Sequence, residues 1–144
     1  MGDATGKGMP AALVMATTRG MLRAVAQSLD APGEVLARVN DALYPDVPSA
    51  MFVTCFYAIL DPASGRMRYV NAGHDLPYVL HYGQSTHELR ATGMPLGLMH
   101  EMSYEEKEAV LTEGDTVLFY SGGLVEAHGP RYAMFGFPRK RGGE

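Results

Sequence analysis

The sequence predicts an α+β fold in which helices pack against an antiparallel sheet. Residues 8–29 and 32–43 repeat apolar side chains at three- and four-residue steps, which is typical of amphipathic helices. Residues 51–120 instead carry short apolar and β-branched runs separated by turn residues, which is typical of strands. Because the helices come first and a meander of strands follows, the α+β class is favoured over an alternating α/β arrangement.

Two helices are predicted in the first third of the chain. The second begins at Pro32, which suits a first helical turn, and ends before Pro45 and Pro48, which cannot continue a helix. Its predicted apolar face is Val35, Leu36, Val39, Ala42 and Leu43. The predicted apolar face of the first helix is Ala12, Met15, Ala16, Met21, Leu22, Val25, Ala26 and Leu29.

The strands are predicted from composition and alternation. Residues 51–60 and 66–70 form a hairpin around a turn at 61–65, and Cys55 is expected to be a buried, inert thiol in the first of these strands. The remaining predicted strands are residues 76–82, a short one at 87–90, an exposed one at 102–111, and a strongly buried one at 116–120.

Composition excludes several classes of function. The length of 144 residues predicts one domain, and the formal net charge of −4 gives no electrostatic footprint for nucleic acid. A single cysteine excludes an internal disulfide and a multi-cysteine zinc site. The sequence contains no membrane-spanning apolar run and no secretory signal, which predicts a cytoplasmic protein without a membrane partner. The basic residues 139–141 are interpreted as a solvated end.

Three catalytic motifs can be tested and rejected. A phosphate loop around Gly6 and Lys7 fails, because Met1 replaces its first glycine and Gly8 replaces its magnesium-binding hydroxyl. The histidines form no H-E-x-x-H pair, and His74, in a predicted turn, is interpreted as a hydrogen-bonded structural residue. Ser121 lacks the preceding glycine of a nucleophile elbow.

The segment GDATGKGMPAAL at residues 2–13 stands apart from these motifs. Its glycines permit positive φ and close backbone approach, and Pro10 suits a helix start, so Asp3 is expected at a bend between a strand and a helix. Such a bend is a frequent place for chemistry, although an ordinary connector has the same composition.

Four segments in order resemble the bacterial PPM-type serine phosphatases, which are the sigma-factor-regulating and stage II sporulation E relatives of the metal-dependent type 2C protein phosphatases. They are residues 2–13, PGEVLARVN at 32–40, the run from MFVT at 51–54 to NAGH at 71–74, and YSGGLVEA at 120–127. MPLG at 94–97 and MFG at 134–136 also fit. The resemblance implies an antiparallel β-sandwich with flanking helices across a single partial domain, residues 1–144, that is incomplete at its N- and C-terminal strands.

The resemblance also implies a chemistry. In the family, two Mn²⁺ or Mg²⁺ ions held by aspartates at the edge of a β-sandwich activate a water that attacks phosphoserine or phosphothreonine. Asp3 would be the catalytic residue that bridges the two metals, and the backbone carbonyl of Ala4 would be a further ligand. The implied partner is a phosphorylated regulatory protein such as an anti-sigma-factor antagonist.

The chain departs from the family pattern at the metal ligands. Gly122 stands where the family has the aspartate of its Y-[ST]-D-G segment, and the segments that supply two further aspartates are expected before residue 1 and after residue 144. Of four expected aspartates, only Asp3 is present, and one carboxylate is too few for two hard divalent ions. The absent strands would leave open sheet edges, which predicts a homodimer.

Two hypotheses follow. The first is a metal-dependent phosphoserine/phosphothreonine protein phosphatase domain of a sigma-factor regulatory pathway, inactive or impaired as this chain stands. The second is a non-catalytic, degenerate phosphatase-fold module for protein interaction or dimerisation.

Overall fold

Two antiparallel sheets and a helical layer make up the structure, which a computed structural model describes for residues 1–83 and 86–125. The helices are α1 (Met9–Val25), α2 (Pro32–Leu43), a 3₁₀ helix (Tyr44–Asp46) and the short α3 (Gly122–Val125). The strands are β1 (Gly2–Ala4), β2 (Val53–Leu60), β3 (Arg66–Ala72), β4 (Tyr78–Leu80), β5 (Thr86–Glu88), β6 (Lys107–Val110) and β7 (Thr116–Leu118).

The strands are divided between a four-stranded sheet and a three-stranded sheet. The first has the order β1-β2-β3-β6 and the second the order β5-β4-β7, with every pair antiparallel. The predicted hairpin of the second and third strands is confirmed, with Phe56 opposite Asn71 and Leu60 opposite Met67. The register of β1 sets Asp3 opposite Thr54.

The four-stranded sheet forms the middle layer because it is covered on both faces. One cluster of buried side chains, including Leu36, Val39 and Val53, fills the space between α1, α2 and this sheet. A second cluster, including Phe56, Met67 and Val79, fills the space between the two sheets. The predicted antiparallel sandwich with flanking helices is therefore confirmed, and the alternation of side chains on β2 serves both cores.

Both predicted helices are present, but α1 ends at Val25 rather than at residue 29, and the predicted apolar face of α1 is partly wrong. Ala12 and Ala16 are exposed, whereas Val14 and Thr18 are buried. The hydroxyl of Thr18 donates to the carbonyl of Val14 at 2.7 Å, which satisfies this buried polar group within the helix. Alanine gives little contrast between helix faces. The sequence therefore predicts that α1 is a helix, but it does not determine which of its residues face the core. On α2 the prediction holds except that Ala42 is exposed.

The prediction of a strongly buried strand at residues 116–120 is wrong. β7 covers only Thr116–Leu118, and Leu118 and Phe119 are 46% and 42% exposed. In the described part of the chain β7 pairs with β4 alone, so it lies at the edge of the smaller sheet. The apolar composition therefore correctly predicts that a strand is present, but it wrongly predicts that the strand is buried.

Within residues 1–83 and 86–125, no helix combines the length and the apolar character needed to cross a bilayer. The end of the YSGGLVEA segment at residues 126–127, the MFG segment at 134–136 and the basic residues 139–141 lie outside the described residues.

Candidate functional site

Asp3 is exposed and lies on β1, which is an edge strand of the four-stranded sheet in the described part of the chain. Its partner in the register is Thr54, and residues opposite each other in an antiparallel pair project to the same face. Phe56 and Ala58 follow Thr54 at two-residue steps and both belong to the cluster between the sheets. The side chain of Asp3 therefore projects from the same face of the four-stranded sheet as Phe56 and Ala58. The three-stranded sheet covers this face at Phe56 and Ala58.

The backbone carbonyl of Ala4 points away from β2. Met1 and Thr5 make the flanking backbone bonds, since Phe56 N–H donates to the carbonyl of Met1 at 2.8 Å and Thr5 N–H donates to the carbonyl of Phe52 at 2.9 Å. Bonded and non-bonded pairs alternate along an antiparallel ladder, so Ala4 belongs to a non-bonded pair. Among the described residues, its carbonyl therefore faces the open edge of the four-stranded sheet.

The residues around Asp3 fix this end of β1. The hydroxyl of Thr5 accepts from Phe52 N–H at 2.9 Å and donates to the carbonyl of Phe52 at 3.2 Å, which extends the ladder by a side chain. A Cβ at Gly2 would lie 2.9 Å from the carbonyl oxygen of Thr54, so only glycine permits the observed approach of the two strands. Gly8, with φ of 78°, is the N-cap residue of α1 and lies four residues after the end of this strand.

His74 links the two sheets beside Asp3. Its Nδ1 lies 2.9 Å from the hydroxyl oxygen of Thr54, and its Nε2 lies 3.1 Å from the backbone carbonyl oxygen of Tyr120. A carbonyl only accepts, so Nε2 carries the proton and Nδ1 accepts from Thr54 in the neutral ring. Burial lowers the pKa of His74, and the carboxylates of Asp75 and Asp3 oppose this shift in part.

The NAGH segment holds this histidine in place. The side chain of Asn71 pairs with the backbone of His74, since its Oδ1 accepts from His74 N–H at 2.6 Å and its Nδ2 donates to the carbonyl of His74 at 2.9 Å. Gly73 has φ of 70°, and a Cβ there would lie 2.9 Å from Cγ of Pro95. The prediction that His74 is hydrogen-bonded is confirmed, and the structure shows that it is also buried.

Gly122, the position at which the family pattern has a carboxylate, is the first residue of α3. Tyr120 precedes it by two residues. Asp3 is therefore connected to this segment through its strand partner Thr54, whose hydroxyl donates to His74, and through the bond from His74 to Tyr120. In the described part of the chain, no three His, Cys, Asp or Glu side chains are grouped so that they could hold a metal ion. The described residues therefore do not fit a two-metal centre, and the ligand roles of Asp3 and Ala4 stay predictions.

Sequence reasoning assigned no role to Thr54 or to Asn71. Their contacts cross 20 and 3 residues of sequence, respectively, and both residues lie within segments that carry the family resemblance. The alternation of side chains along β2 is the signal that indicates Thr54, because Thr54 lies two residues before the buried Phe56 and so shares a face with it and with Asp3.

The chain is similar to proteins of one family along nearly its whole length. The family model described as stage II sporulation protein E (SpoIIE) matches residues 1–141. The phosphoserine phosphatase RsbU of Bacillus subtilis (strain 168) is 30% identical over 125 residues, which cover 86% of this chain and 37% of RsbU. The phosphoserine phosphatase RsbP of the same strain is 26% identical over 129 residues, which cover 86% of this chain and 32% of RsbP. The chain thus spans roughly a third of the length of these curated relatives.

Solved structures have the same fold. The RsbU and RsbW domains of Rv1364c from Mycobacterium tuberculosis match with a TM-score of 0.75 and 32% identity, covering 89% of this chain and 36% of that one. The SiaA-PP2C domain of Pseudomonas aeruginosa matches with a TM-score of 0.78 and 21% identity, covering 96% of this chain and 55% of that one. With a family match from residue 1 to residue 141, this chain belongs to the stage II sporulation protein E family and has the fold of type 2C protein phosphatases.

Proposed function

We propose that this chain is a phosphoserine/phosphothreonine protein phosphatase domain of a bacterial sigma-factor regulatory pathway whose metal site is impaired. Its relatives RsbU and RsbP bear the name phosphoserine phosphatase, which supports the reaction class. The observation that carries the impairment is Gly122, because glycine provides no side-chain oxygen at the position where the family pattern has an aspartate.

The proposed cofactor is Mn²⁺ or Mg²⁺, with Asp3 and the carbonyl of Ala4 as ligands. In the family the ions supply the activated water that attacks the phosphate ester. Hard divalent ions need several oxygen ligands, and Asp3 with one carbonyl meets only part of that need. We therefore expect one weakly held ion, which is too few for two-metal chemistry, and no Mn²⁺-dependent hydrolysis by the chain as it stands. The proposed substrate is a phosphorylated regulatory protein such as an anti-sigma-factor antagonist.

Calorimetric titration with Mn²⁺ tests this proposal. We expect Gly122→Asp to tighten Mn²⁺ binding by at least about tenfold, the equivalent of about 1.4 kcal/mol. Gly123→Asp is the matched control, because a Cβ at Gly123 meets open space and the variant adds the same charge one residue away. Adding Asp3→Ala to Gly122→Asp should remove the gain. Equal affinities for Gly122→Asp and the unchanged chain would show that position 122 does not share an ion with Asp3.

A second candidate function, a non-catalytic interaction or dimerisation module, is favoured by the exposed apolar edge of the smaller sheet. Leu118 and Phe119 on and after β7 are 46% and 42% exposed, and Leu124 on α3 is 48% exposed. Open strand edges recruit strands of other chains. This candidate predicts a homodimer with a mass near twice 15.6 kDa by light scattering, and Leu118→Lys should shift it to the monomer. A monomer at all concentrations would argue against it.

A further inference from the structure

His74 is bonded to both sheets by opposite ends of one ring. Nδ1 lies 2.9 Å from the hydroxyl oxygen of Thr54, which is on β2 of the four-stranded sheet. Nε2 lies 3.1 Å from the carbonyl oxygen of Tyr120, which follows β7 of the three-stranded sheet. The two partners lie 20 and 46 residues away along the sequence, so these bonds hold together segments that are distant in the chain. One partner is opposite Asp3 and the other is two residues before Gly122.

The ring cannot adjust freely to a change in either partner. Asn71 binds both the N–H and the carbonyl of His74, and Gly73 packs so closely on Pro95 that a Cβ would overlap the proline ring. His74 is itself buried. A buried ring with a fixed backbone transmits the position of one hydrogen-bond partner to the other.

We propose that His74 is a positioning residue that fixes residues 120–122 against the strand carrying Asp3 and so sets the separation between Asp3 and position 122. The inference rests on the proposed function for its use of the metal site, although the contacts themselves do not depend on any metal. Outer partners that orient a metal site commonly control its affinity in this way.

The competing explanation is that packing alone holds residues 120–122. The ring of Tyr120 stacks on the ring of Tyr78 with centroids 5.9 Å apart, and Leu124 N–H donates to the carbonyl of Ser121 at 3.0 Å. If these contacts suffice, the bonds of His74 are dispensable for the position of the segment. A test must therefore remove one bond of His74 and leave the stack intact.

Thr54→Val is the suitable variant, because valine keeps the shape and the strand preference of threonine and removes only the hydroxyl. Thr54→Ser is its matched control, since serine keeps the hydroxyl. His74→Gln is a second variant that retains a donor near the position of Nε2 and loses the acceptor at Nδ1. Circular dichroism at the assay temperature identifies the folded variants.

Amide hydrogen exchange measured by NMR provides the readout that needs no metal. We expect Thr54→Val and His74→Gln to raise the exchange rate of the amides in residues 120–124 about threefold to tenfold, the effect of losing one net hydrogen bond. Thr54→Ser should leave those rates unchanged. Unchanged rates in folded Thr54→Val would overturn the proposal, because the segment would then be held without the bond.

The Mn²⁺ affinity of the same variants in the Gly122→Asp chain separates this proposal from the proposed function. We expect Thr54→Val to weaken Mn²⁺ binding about tenfold there, and Thr54→Ser to have no effect. If Gly122→Asp gains no affinity at all, the metal-site proposal fails and the exchange rates alone decide the role of His74. If Gly122→Asp gains affinity that Thr54→Val leaves intact, the positioning role is wrong and the metal-site proposal stands.

Discussion

His74 donates a hydrogen bond from Nε2 to the backbone carbonyl of Tyr120 across 3.1 Å and thereby joins the end of the smaller sheet to the middle layer. On its other side the same ring accepts from Thr54, the residue opposite Asp3. The Tyr120 carbonyl only accepts, so Nε2 carries a proton, and burial favours the neutral ring, in which Nδ1 accepts from Thr54. This one side chain therefore connects the two segments on which the candidate site depends.

The neutral ring makes stability depend on pH. Burial lowers the pKa of His74 below its ordinary value of 6.5, so its contribution is fully present above pH 6.5 and is lost as the pH falls through the lowered pKa. His74→Gln removes this titration. We expect the free energy of unfolding of the unchanged chain to exceed that of His74→Gln near neutral pH, and the difference to narrow as the pH is lowered. A difference that stays constant or widens in acid would contradict the assignment.

Gly73 and Gly83 form a matched pair for measuring the close contact with Pro95. Their φ angles are 70° and 71°, but a Cβ at Gly73 would lie 2.9 Å from the proline ring, whereas a Cβ at Gly83 meets nothing within 4 Å. Both alanine variants incur the cost of holding a non-glycine residue at positive φ. Only Gly73→Ala also brings its Cβ too close to the ring of Pro95. Urea unfolding should show Gly73→Ala to be less stable than Gly83→Ala by about 1–3 kcal/mol. Equal losses would mean that the turn relaxes away from Pro95.

Cys55 is expected to be chemically inert in the folded chain. Burial raises the pKa of its thiol from 9.0 to about 11, so almost no thiolate is present near neutral pH. A thiol-specific chromogenic disulfide should react slowly with the native chain and rapidly with the chain in concentrated guanidinium chloride. Because the raised pKa favours the protonated folded state, stability should also fall as the pH rises from 9 toward 11. Rapid labelling of the native chain would contradict the burial of this strand.

Tyr104 and Tyr69 are both buried, but their hydroxyl groups differ. The hydroxyl of Tyr104 has no hydrogen-bond partner among the described residues, whereas that of Tyr69 donates to the carbonyl of Arg90 at 3.3 Å. Tyr104→Phe removes an unsatisfied buried group and should leave the free energy of unfolding unchanged or raise it by about 1 kcal/mol. Tyr69→Phe should lower it by about 0.5–1.5 kcal/mol. A larger loss for Tyr104→Phe would show that its hydroxyl is bonded in solution.

Local patterns predicted most of the elements. Pro32 and the prolines after Leu43 set the bounds of α2, and the alternating hairpin of β2 and β3 formed in the predicted place. Burial was predicted less well, because it depends on neighbours that a local pattern does not contain. Leu118 sits in an apolar run and is nonetheless 46% exposed, since its strand is at an edge.

The candidate site likewise has local features that the sequence predicts and long-range contacts that it does not. The glycines around Asp3 and the N-A-G-H turn were recognisable from the sequence because they meet local backbone requirements. The contacts of Thr54 and Tyr120 with His74 were not, because they join residues 20 and 46 positions apart. The contact with Thr54 arises from the pairing of β2 with β3, and the contact with Tyr120 arises from the packing of the two sheets. The order of residues along one strand encodes neither of them.

The central claim is that this chain has the phosphatase fold with an impaired metal site. The most direct measurement is the initial rate of phosphate release from a phosphoserine peptide by the 144-residue chain as Mn²⁺ is raised, with Asp3→Ala measured in parallel. We predict that the two rates are equal and do not rise with Mn²⁺. A rate that saturates with Mn²⁺ and disappears in Asp3→Ala would contradict it.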